Sequence, residues 1–171
     1  MESRVIVITG GTRGIGDAIS RDMLQLGAIV ISLAKNRVNN ERWINEKKEN
    51  GFKKVDVYTC DVANYDECRE IIGDIKNKYG KVDILVNNAG ITRDCTFHKM
   101  EKESWDTVIN VNLSGLYNVT RPVIDIMIEN NYGRIINISS ISGQRGQFGQ
   151  VNYAAVKAGV HGFTRVQPRY V

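Results

Sequence analysis

The chain has 171 residues, of which 42% are hydrophobic and 25% are charged, and its formal net charge is +4. A chain of this length fits one domain that buries about two thirds of its unfolded surface, so we expect residues 1–171 to form a single domain. The composition is too apolar for a disordered chain, and no apolar run is long enough to span a bilayer. The mild, mixed charge predicts neither a nucleic-acid-binding patch nor a membrane partner.

The cysteines and histidines do not form a metal-binding pattern. Cys60, Cys68 and Cys95 lack the spacing of metal ligands and only two histidines are present, so we expect buried or free thiols and no metal. The start of the chain, MESRVIVITGG, lacks the apolar segment and cleavage site of a secretory signal. These features predict a cytoplasmic location.

Short β-branched runs alternate with amphipathic helical patterns along the chain. Strands are predicted at five places, which are residues 4–9, 28–33, 55–58, 82–86 and 134–138. Helices are predicted between and after them, at residues 14–26, 40–50, 68–79, 102–130 and 152–157. This alternation predicts an α/β fold with a doubly wound parallel sheet and helices on both faces.

The first strand-to-helix turn is rich in glycine and reads TGGTRGIG from Thr9 to Gly16. Glycines there permit a tight turn and close approach of the backbone to a pyrophosphate, which binds at the helix N-terminus. A glycine-rich turn without a ligand is the alternative, and the position between a strand and an amphipathic helix argues against it. The predicted cofactor contacts in this turn are Gly10, Thr12, Arg13, Gly14, Ile15 and Gly16.

The end of the second strand predicts which dinucleotide binds. An acidic residue at this point bonds the ribose of NAD, whereas a basic residue suits the 2′-phosphate of NADPH. Lys35 and Arg37 follow the strand, no acid occurs before Glu41, and Arg13 adds another cation. We therefore predict NADPH. The alternative is that Lys35 and Arg37 belong to a solvated loop.

Two further motifs follow the third and fourth strands. Asp61-Val62 lies where an adenine would bind, and Asn88-Ala89-Gly90 follows the next strand along the chain. Either motif alone is more often a simple turn. Both nevertheless lie at carboxyl ends of strands, which is where such folds bind ligands.

Ser140, Tyr153 and Lys157 form the candidate catalytic group. If residues 152–157 are helical, Tyr153 and Lys157 lie on one face, one turn apart. A neighbouring cation favours the phenolate, which makes Tyr153 a candidate proton donor. Ser140 would then hydrogen-bond a substrate oxygen.

With these motifs in order, the sequence resembles the short-chain dehydrogenase/reductases as far as about Thr164. The resemblance implies a Rossmann-type fold in which Asp61 and Val62 receive the adenine, while Asn88, Ala89 and Gly90 support the cofactor. Tyr153 and Lys157 also contact the cofactor in this family. Asn112 matches the asparagine that holds a water relay leading to the lysine. The implied catalytic residues are Asn112, Ser140, Tyr153 and Lys157.

Four segments resemble one group within this family, the acetoacetyl-CoA reductases of polyhydroxybutyrate synthesis. These segments are residues 88–94, 97–100, 143–150 and 157–164. The resemblance implies NADPH-dependent reduction of acetoacetyl-CoA, a 3-oxoacyl thioester, to 3-hydroxybutyryl-CoA. The 3-oxoacyl-[acyl-carrier-protein] reductases share the core and remain an alternative. The implied substrate-binding residues are Asp94, Lys99, Ser140, Gln147, Phe148, Gln150 and Tyr153.

The chain is shorter than the members of this family. Residues 165–171 do not continue an apolar helix, and Pro168 is expected to end the last helix early. We expect the family's last two strands to be missing, which would leave residues 134–138 as an exposed edge strand. Because the family's homo-oligomers use the last strand, oligomerisation is in doubt. An inactive truncated remnant, or a non-enzymatic nucleotide-binding fragment, is therefore the second functional hypothesis.

Overall fold

The computed structural model describes residues 1–166. The strands are β1 (Val5–Thr9), β2 (Ile29–Ala34), β3 (Val55–Thr59), β4 (Ile84–Asn87) and β5 (Arg134–Asn137). The helices are α1 (Gly14–Gln25), α2 (Arg37–Glu49), α3 (Tyr65–Tyr79), α4 (Lys102–Ile109), α5 (Gly115–Glu129), α6 (Ser142–Arg145) and α7 (Val151–Val166). Phe97–Lys99 forms a 3₁₀ turn. Pro168, which was expected to end the last helix, lies outside the described residues.

The five strands form one parallel sheet in the order β3-β2-β1-β4-β5. The chain runs outward from β1 through β2 to β3 and then returns to the other side of β1 as β4. The strand order therefore reverses between β1 and β4, and a crevice opens at the carboxyl ends of these two strands. This architecture confirms the predicted Rossmann-type fold.

Helices cover both faces of the sheet. On one face, Val7 and Leu85 of the sheet belong to the same buried cluster as residues of α3 and α5. On the other face, Ile6 and Ile8 cluster with Leu24 of α1 and with residues of α2. Since β1 is buried on both sides, its sequence is a continuous apolar run rather than an alternating one.

Within the described residues, β5 is an edge strand that pairs only with β4. Ile136 is 49% exposed, which is high for an isoleucine in a sheet. The expectation of an apolar edge at this position is confirmed. No helix in residues 1–166 is both long enough and apolar enough to cross a membrane.

Side-chain caps shift two helix starts from their predicted positions. α2 begins at Arg37 rather than at residue 40 because the Asn36 side chain accepts a hydrogen bond from the Asn39 N–H. α3 begins at Tyr65 because Asn64 caps it in the same way. Both caps add an exposed first turn that the apolar periodicity does not mark.

The long helix predicted at residues 102–130 is not uniform. Residues Asn110–Ser114 form a π-helical segment between α4 and α5. Asn112 lies in this segment and is buried. Wider helical turns of this kind are frequent at functional sites.

The thiols are free, as expected. Cys60 and Cys68 are buried with their Sγ atoms 3.8 Å apart, and Cys95 is half-buried. The contact with Cys68, together with burial, raises the pKa of the Cys60 thiol far above its ordinary value. Within residues 1–166, no group of three or more His, Cys, Asp or Glu side chains could hold a metal ion.

Candidate active site

The glycine turn between β1 and α1 has a backbone that side chains would disturb. Gly10 and Gly14 have φ angles of +66° and +53°, in the left-handed region that favours glycine. A Cβ atom at Gly16 would lie 2.2 Å from the carbonyl oxygen of Gly10. A Cβ atom at Gly14 would meet nothing within 4 Å, so this glycine faces open space. The N-cap residue, Arg13, makes no side-chain capping hydrogen bond, and the first N–H groups of α1 therefore lack a side-chain acceptor.

The segment after β4 is fastened to this turn through Thr9. The Thr9 hydroxyl accepts the backbone N–H groups of Asn88 and Ala89, both at 2.9 Å. The Asn88 amide nitrogen donates to the carbonyl oxygens of Thr9 at 3.0 Å and of Gly10 at 3.2 Å. The predicted motifs at residues 9–16 and 88–90 therefore form one structural unit at the crevice.

Asn112 holds the next part of the same segment. Its side-chain oxygen accepts the Ile91 N–H at 2.8 Å, and its amide nitrogen donates to the Ile91 carbonyl at 2.9 Å. The Asn112 side chain therefore binds both backbone polar groups of Ile91 in the loop after β4.

The two cations after β2 are paired and exposed. Lys35 Nζ lies 2.5 Å from Asp61 Oδ2, and Arg37 Nε lies 2.9 Å from Glu41 Oε1. Desolvation opposes the charge of Asp61, but hydrogen bonds from Lys35 and from the Ala63 N–H outweigh it and lower the pKa of that carboxyl. The structure therefore brings together Lys35 and Asp61, which were assigned to different parts of the cofactor.

Val62, the predicted adenine contact, is held by α5. The Asn118 side chain donates a hydrogen bond to the Val62 carbonyl at 2.9 Å. A Cβ atom at Gly115 would lie 2.9 Å from the Val62 Cγ2 atom. Sequence reasoning missed both α5 residues, because their only signal is a small residue and a polar residue on the inward face of an apolar helix.

α7 places Tyr153 and Lys157 one turn apart. Lys157 is buried, and its Nζ atom lies 5.6 Å from the centroid of the Tyr153 ring. The ammonium donates to the Ile138 carbonyl at 2.7 Å. Burial lowers the pKa of Lys157 from its ordinary value. Ser140 is half-buried, and its Oγ atom accepts the Ser142 N–H at 3.2 Å.

A cleft of about 560 Å³ joins the glycine turn to the candidate catalytic residues. It is lined by Arg13, Ile15, Asn88, Gly90, Ile91, Thr92, Arg93, Ile138, Ser139, Ser140, Tyr153 and Lys157. A second cavity of about 10 Å³ has Asn112 and Lys157 in its lining, and this volume matches a single water molecule. One cleft therefore contains both the glycine turn and a tyrosine beside a buried lysine.

The family model described as short chain dehydrogenase matches residues 4–169. The chain belongs to the short-chain dehydrogenase family. The acetoacetyl-CoA reductase of Allochromatium vinosum is 48% identical over 164 residues, which are 95% of this chain and 66% of that protein. The acetoacetyl-CoA reductase of Cupriavidus necator is 45% identical over 165 residues, which are 96% of this chain and 67% of that protein. The predicted resemblance is confirmed.

Related short-chain dehydrogenases with other names are also similar. The 3-oxoacyl-[acyl-carrier-protein] reductase of Thermotoga maritima is 45% identical over 165 residues, with 96% of this chain and 67% of that protein covered. An actinorhodin polyketide ketoreductase solved with NADPH superposes with a TM-score of 0.91 at 35% identity, covering 96% of this chain and 65% of that one. The chain thus spans about two thirds of the length of the relatives it matches.

The residues that this short-chain dehydrogenase was expected to use for substrate are divided between the cleft and its surroundings. Ser140 and Tyr153 line the cleft. Gln150 donates to Asp94 at 2.8 Å and accepts from Ser142 at 3.1 Å. The other three, Lys99, Gln147 and Phe148, are exposed and do not line the cleft. The structure therefore brings Asp94 and Gln150 together, but neither this pair nor the other three side chains line the cleft.

Proposed function

We propose that this chain is an NADPH-dependent reductase of 3-oxoacyl thioesters, with acetoacetyl-CoA as its substrate and polyhydroxybutyrate synthesis as its context. One observation supports this proposal above the others. The same cleft is lined by Arg13 and Ile15 of the glycine turn and by Ser140, Tyr153 and Lys157. A hydride donor bound at the turn would therefore share a single space with a proton donor.

The residues present fit a dinucleotide. The crowded Gly16 and the open Gly14 form a turn whose backbone can approach a pyrophosphate closely, and the uncapped start of α1 favours an anion. When bound, NADPH supplies the hydride for the reduction. Arg13, Lys35 and Arg37 would hold its 2′-phosphate. The other proposed contacts are Gly10, Thr12, Ile15, Asp61, Val62, Asn88, Ala89, Gly90, Tyr153 and Lys157.

Tyr153 is the proposed proton donor to the oxygen of the reacting carbonyl. Lys157, held by the Ile138 carbonyl, has its Nζ atom 5.6 Å from the centroid of the Tyr153 ring. A positive charge there would stabilise the negative charge that develops on the phenol oxygen during proton transfer to the substrate. Ser140 is proposed to hydrogen-bond the same substrate oxygen. Because Ser140 Oγ accepts the Ser142 N–H, its own proton points elsewhere and is available to the substrate.

The small cavity lined by Asn112 and Lys157 is the proposed place of a water that returns a proton to the lysine. Asn112 is proposed to hold this water, either through its backbone in the π-helical segment or through the amide hydrogen and oxygen lone pair that its bonds to Ile91 do not use.

The CoA moiety is proposed to bind outside the cleft. Lys99 is an exposed cation suited to phosphate groups, and Phe148 is 89% exposed, which is unusual for a phenylalanine. Asp94, Gln147 and Gln150 are proposed to complete this region. A second candidate substrate is the thioester on an acyl-carrier protein, because a relative that bears this name is also 45% identical to the chain.

We further propose that residues 1–171 act as one cofactor-binding domain of a cytoplasmic protein. Because an apolar edge strand can pair with another chain, we propose that any homo-oligomer of this chain forms through β5, which is the edge strand within the described residues. An inactive nucleotide-binding fragment remains the competing hypothesis.

The deciding experiment measures NADPH oxidation by the purified chain with acetoacetyl-CoA, and with the same acyl group on acyl-carrier protein. We expect turnover with acetoacetyl-CoA. The Tyr153→Phe variant should lose it and still bind NADPH. NADPH binding without turnover in the wild type would identify the competing fragment, and equal turnover in Tyr153→Phe would exclude Tyr153 as the proton donor. Faster reduction of the carrier-protein thioester would favour the second substrate.

A further inference from the structure

The loop after β4 is joined to the start of α7 by three consecutive hydrogen bonds. The Arg93 carbonyl accepts from the Asn152 side chain at 3.1 Å, Asp94 accepts from Gln150 at 2.8 Å, and the Cys95 N–H donates to the Gly149 carbonyl at 2.9 Å. The same loop lines the cleft and is held by Asn112 further upstream. The loop after β4, which lines the cleft, and the beginning of α7 are therefore directly connected.

Asn152 has a special place in this connection. Its Nδ2 atom donates to the Arg93 carbonyl, and its Oδ1 atom accepts the backbone N–H of Tyr153 at 2.7 Å. The Tyr153 N–H lies in the first turn of α7, where backbone donors lack partners within the helix. One carboxamide thus links the backbone of the loop directly to the backbone of the candidate proton donor.

Burial makes this link hard to replace. Asn152 has 0% of its surface exposed, so a shorter side chain would leave the Arg93 carbonyl and the Tyr153 N–H without this buried partner. The length of the carboxamide therefore contributes to the spacing between the Tyr153 backbone and the loop that lines the cleft. A displacement of about 1 Å at a reacting group costs about 100-fold in rate.

We infer that Asn152 is a positioning residue that sets the placement of the Tyr153 phenol relative to the cofactor side of the cleft. This inference rests on the proposed reduction by Tyr153. It goes beyond it because Asn152 does not line the cleft and would touch neither substrate nor cofactor. Its action is through the backbone of Tyr153.

Two variants break the link that Asn152 makes. Asn152→Ala removes both hydrogen bonds. Asn152→Ser keeps a polar side chain, but its hydroxyl is too short to connect the Tyr153 N–H with the Arg93 carbonyl. The control is Val151→Ala, since Val151 is the neighbouring residue in the same helical turn, is 39% exposed and does not line the cleft. Thermal unfolding of all three shows which of them fold.

We expect kcat to fall about 100-fold in Asn152→Ser, as for a displaced reacting group. The KM for acetoacetyl-CoA and the dissociation constant of NADPH should stay close to their wild-type values. The solvent deuterium isotope effect on kcat should increase, because a displaced donor makes proton transfer more limiting. A merely structural role would leave this isotope effect unchanged. A folded Asn152→Ser variant with wild-type kcat and isotope effect would overturn the inference.

A measurement that does not depend on turnover distinguishes failure of this inference from failure of the proposed function. In protein labelled at the tyrosine Cζ carbon, the resonance missing from Tyr153→Phe identifies Tyr153. We expect this resonance to move in Asn152→Ser and to stay in place in Val151→Ala. An inactive wild type would contradict the proposed reduction alone, whereas an unmoved resonance in a folded Asn152→Ser variant would contradict the positioning role.

Discussion

Gly143 packs directly against the backbone of Lys157. A Cβ atom at position 143 would lie 2.6 Å from the Lys157 carbonyl carbon and 2.8 Å from its carbonyl oxygen. Both distances are far shorter than a real contact, and the obstructing atoms belong to the backbone, so no side chain can turn away. The absence of a side chain at Gly143 therefore allows α6 to approach α7 at the lysine of the candidate active site.

We predict that Gly143→Ala lowers both turnover and stability. The added methyl group must push α6 and α7 apart, which displaces the Lys157 ammonium from the Ile138 carbonyl. Overpacking of this kind costs about 1–3 kcal/mol. The measurements are kcat for acetoacetyl-CoA reduction, which we expect to fall about tenfold or more for a displaced catalytic group, and the midpoint of thermal unfolding.

The matched control for this change is Gly162→Ala in the same helix. A Cβ atom at Gly162 would meet nothing within 4 Å, and alanine favours a helix by about 1 kcal/mol over glycine. We expect this variant to keep its activity and to be as stable as the wild type or more so. Equal effects of the two substitutions would contradict the packing role of Gly143.

Local patterns predict the elements of this fold well, and contacts between distant elements account for what they miss. The continuous apolar run of β1 and the left-handed Gly80 after α3 are visible in the sequence, because they follow from burial and backbone conformation at single positions. The roles of Gly143, Asn118 and Asn152 depend on which helix or loop lies opposite, and periodicity does not contain that information.

The candidate site was likewise predictable where it consists of short motifs, but not where it depends on contacts between distant residues. The glycine turn, Tyr153 and Lys157 come from short motifs, and the structure places them along one cleft. The pairing of Lys35 with Asp61 was not foreseen, because these residues are 26 positions apart in the sequence and follow two different strands. The π-helical segment at Asn112 was also missed, since its apolar residues continue the pattern of the flanking helices.

Gly16→Ala should weaken NADPH binding. The new Cβ atom would lie 2.2 Å from the Gly10 carbonyl oxygen and 2.6 Å from the Asn88 amide nitrogen, so the turn and the segment after β4 must separate. We expect the dissociation constant of NADPH to rise at least about tenfold, which corresponds to about 1.4 kcal/mol. Fluorescence titration measures this change. Gly73→Ala in α3, where a Cβ atom meets nothing within 4 Å, should leave binding unchanged.

Lys35→Ala should weaken the binding of NADPH much more than the binding of NADH. The Lys35 ammonium lies at the end of β2, beside Asp61, and would face the phosphate that distinguishes the two cofactors. We expect an approximately tenfold loss for NADPH, of the size of one charge-assisted hydrogen bond, and little change for NADH. Titrations with both cofactors test this. Lys48→Ala, an exposed cation near the end of α2, is the control, and equal losses for NADPH and NADH in Lys35→Ala would refute the assignment.

Protonation of Asp83 at acidic pH should lower the stability of the fold. Burial opposes its charge, but hydrogen bonds from the Val5 N–H at 2.7 Å and from Arg4 at 2.7 Å, with Lys81 at 3.0 Å, outweigh burial and lower the pKa of this carboxyl. Because the folded state holds the proton less tightly than the unfolded state, the stabilisation is complete above the unfolded pKa of about 4. It is lost as the pH falls from there through the lower folded pKa.

Asp83→Asn tests this dependence through the free energy of unfolding in urea. The charge-assisted hydrogen bonds weaken, so we expect a loss of about 2 kcal/mol at neutral pH. Because protonation removes the same charge from the wild type, the two unfolding free energies should converge as the pH falls below about 4. Asp125→Asn changes a carboxylate that is 57% exposed and pairs with Arg121 on the surface of α5, and it should cost less than about 1 kcal/mol. A constant difference between wild type and Asp83→Asn at every pH would show that the charge of Asp83 is not the source of its stabilisation.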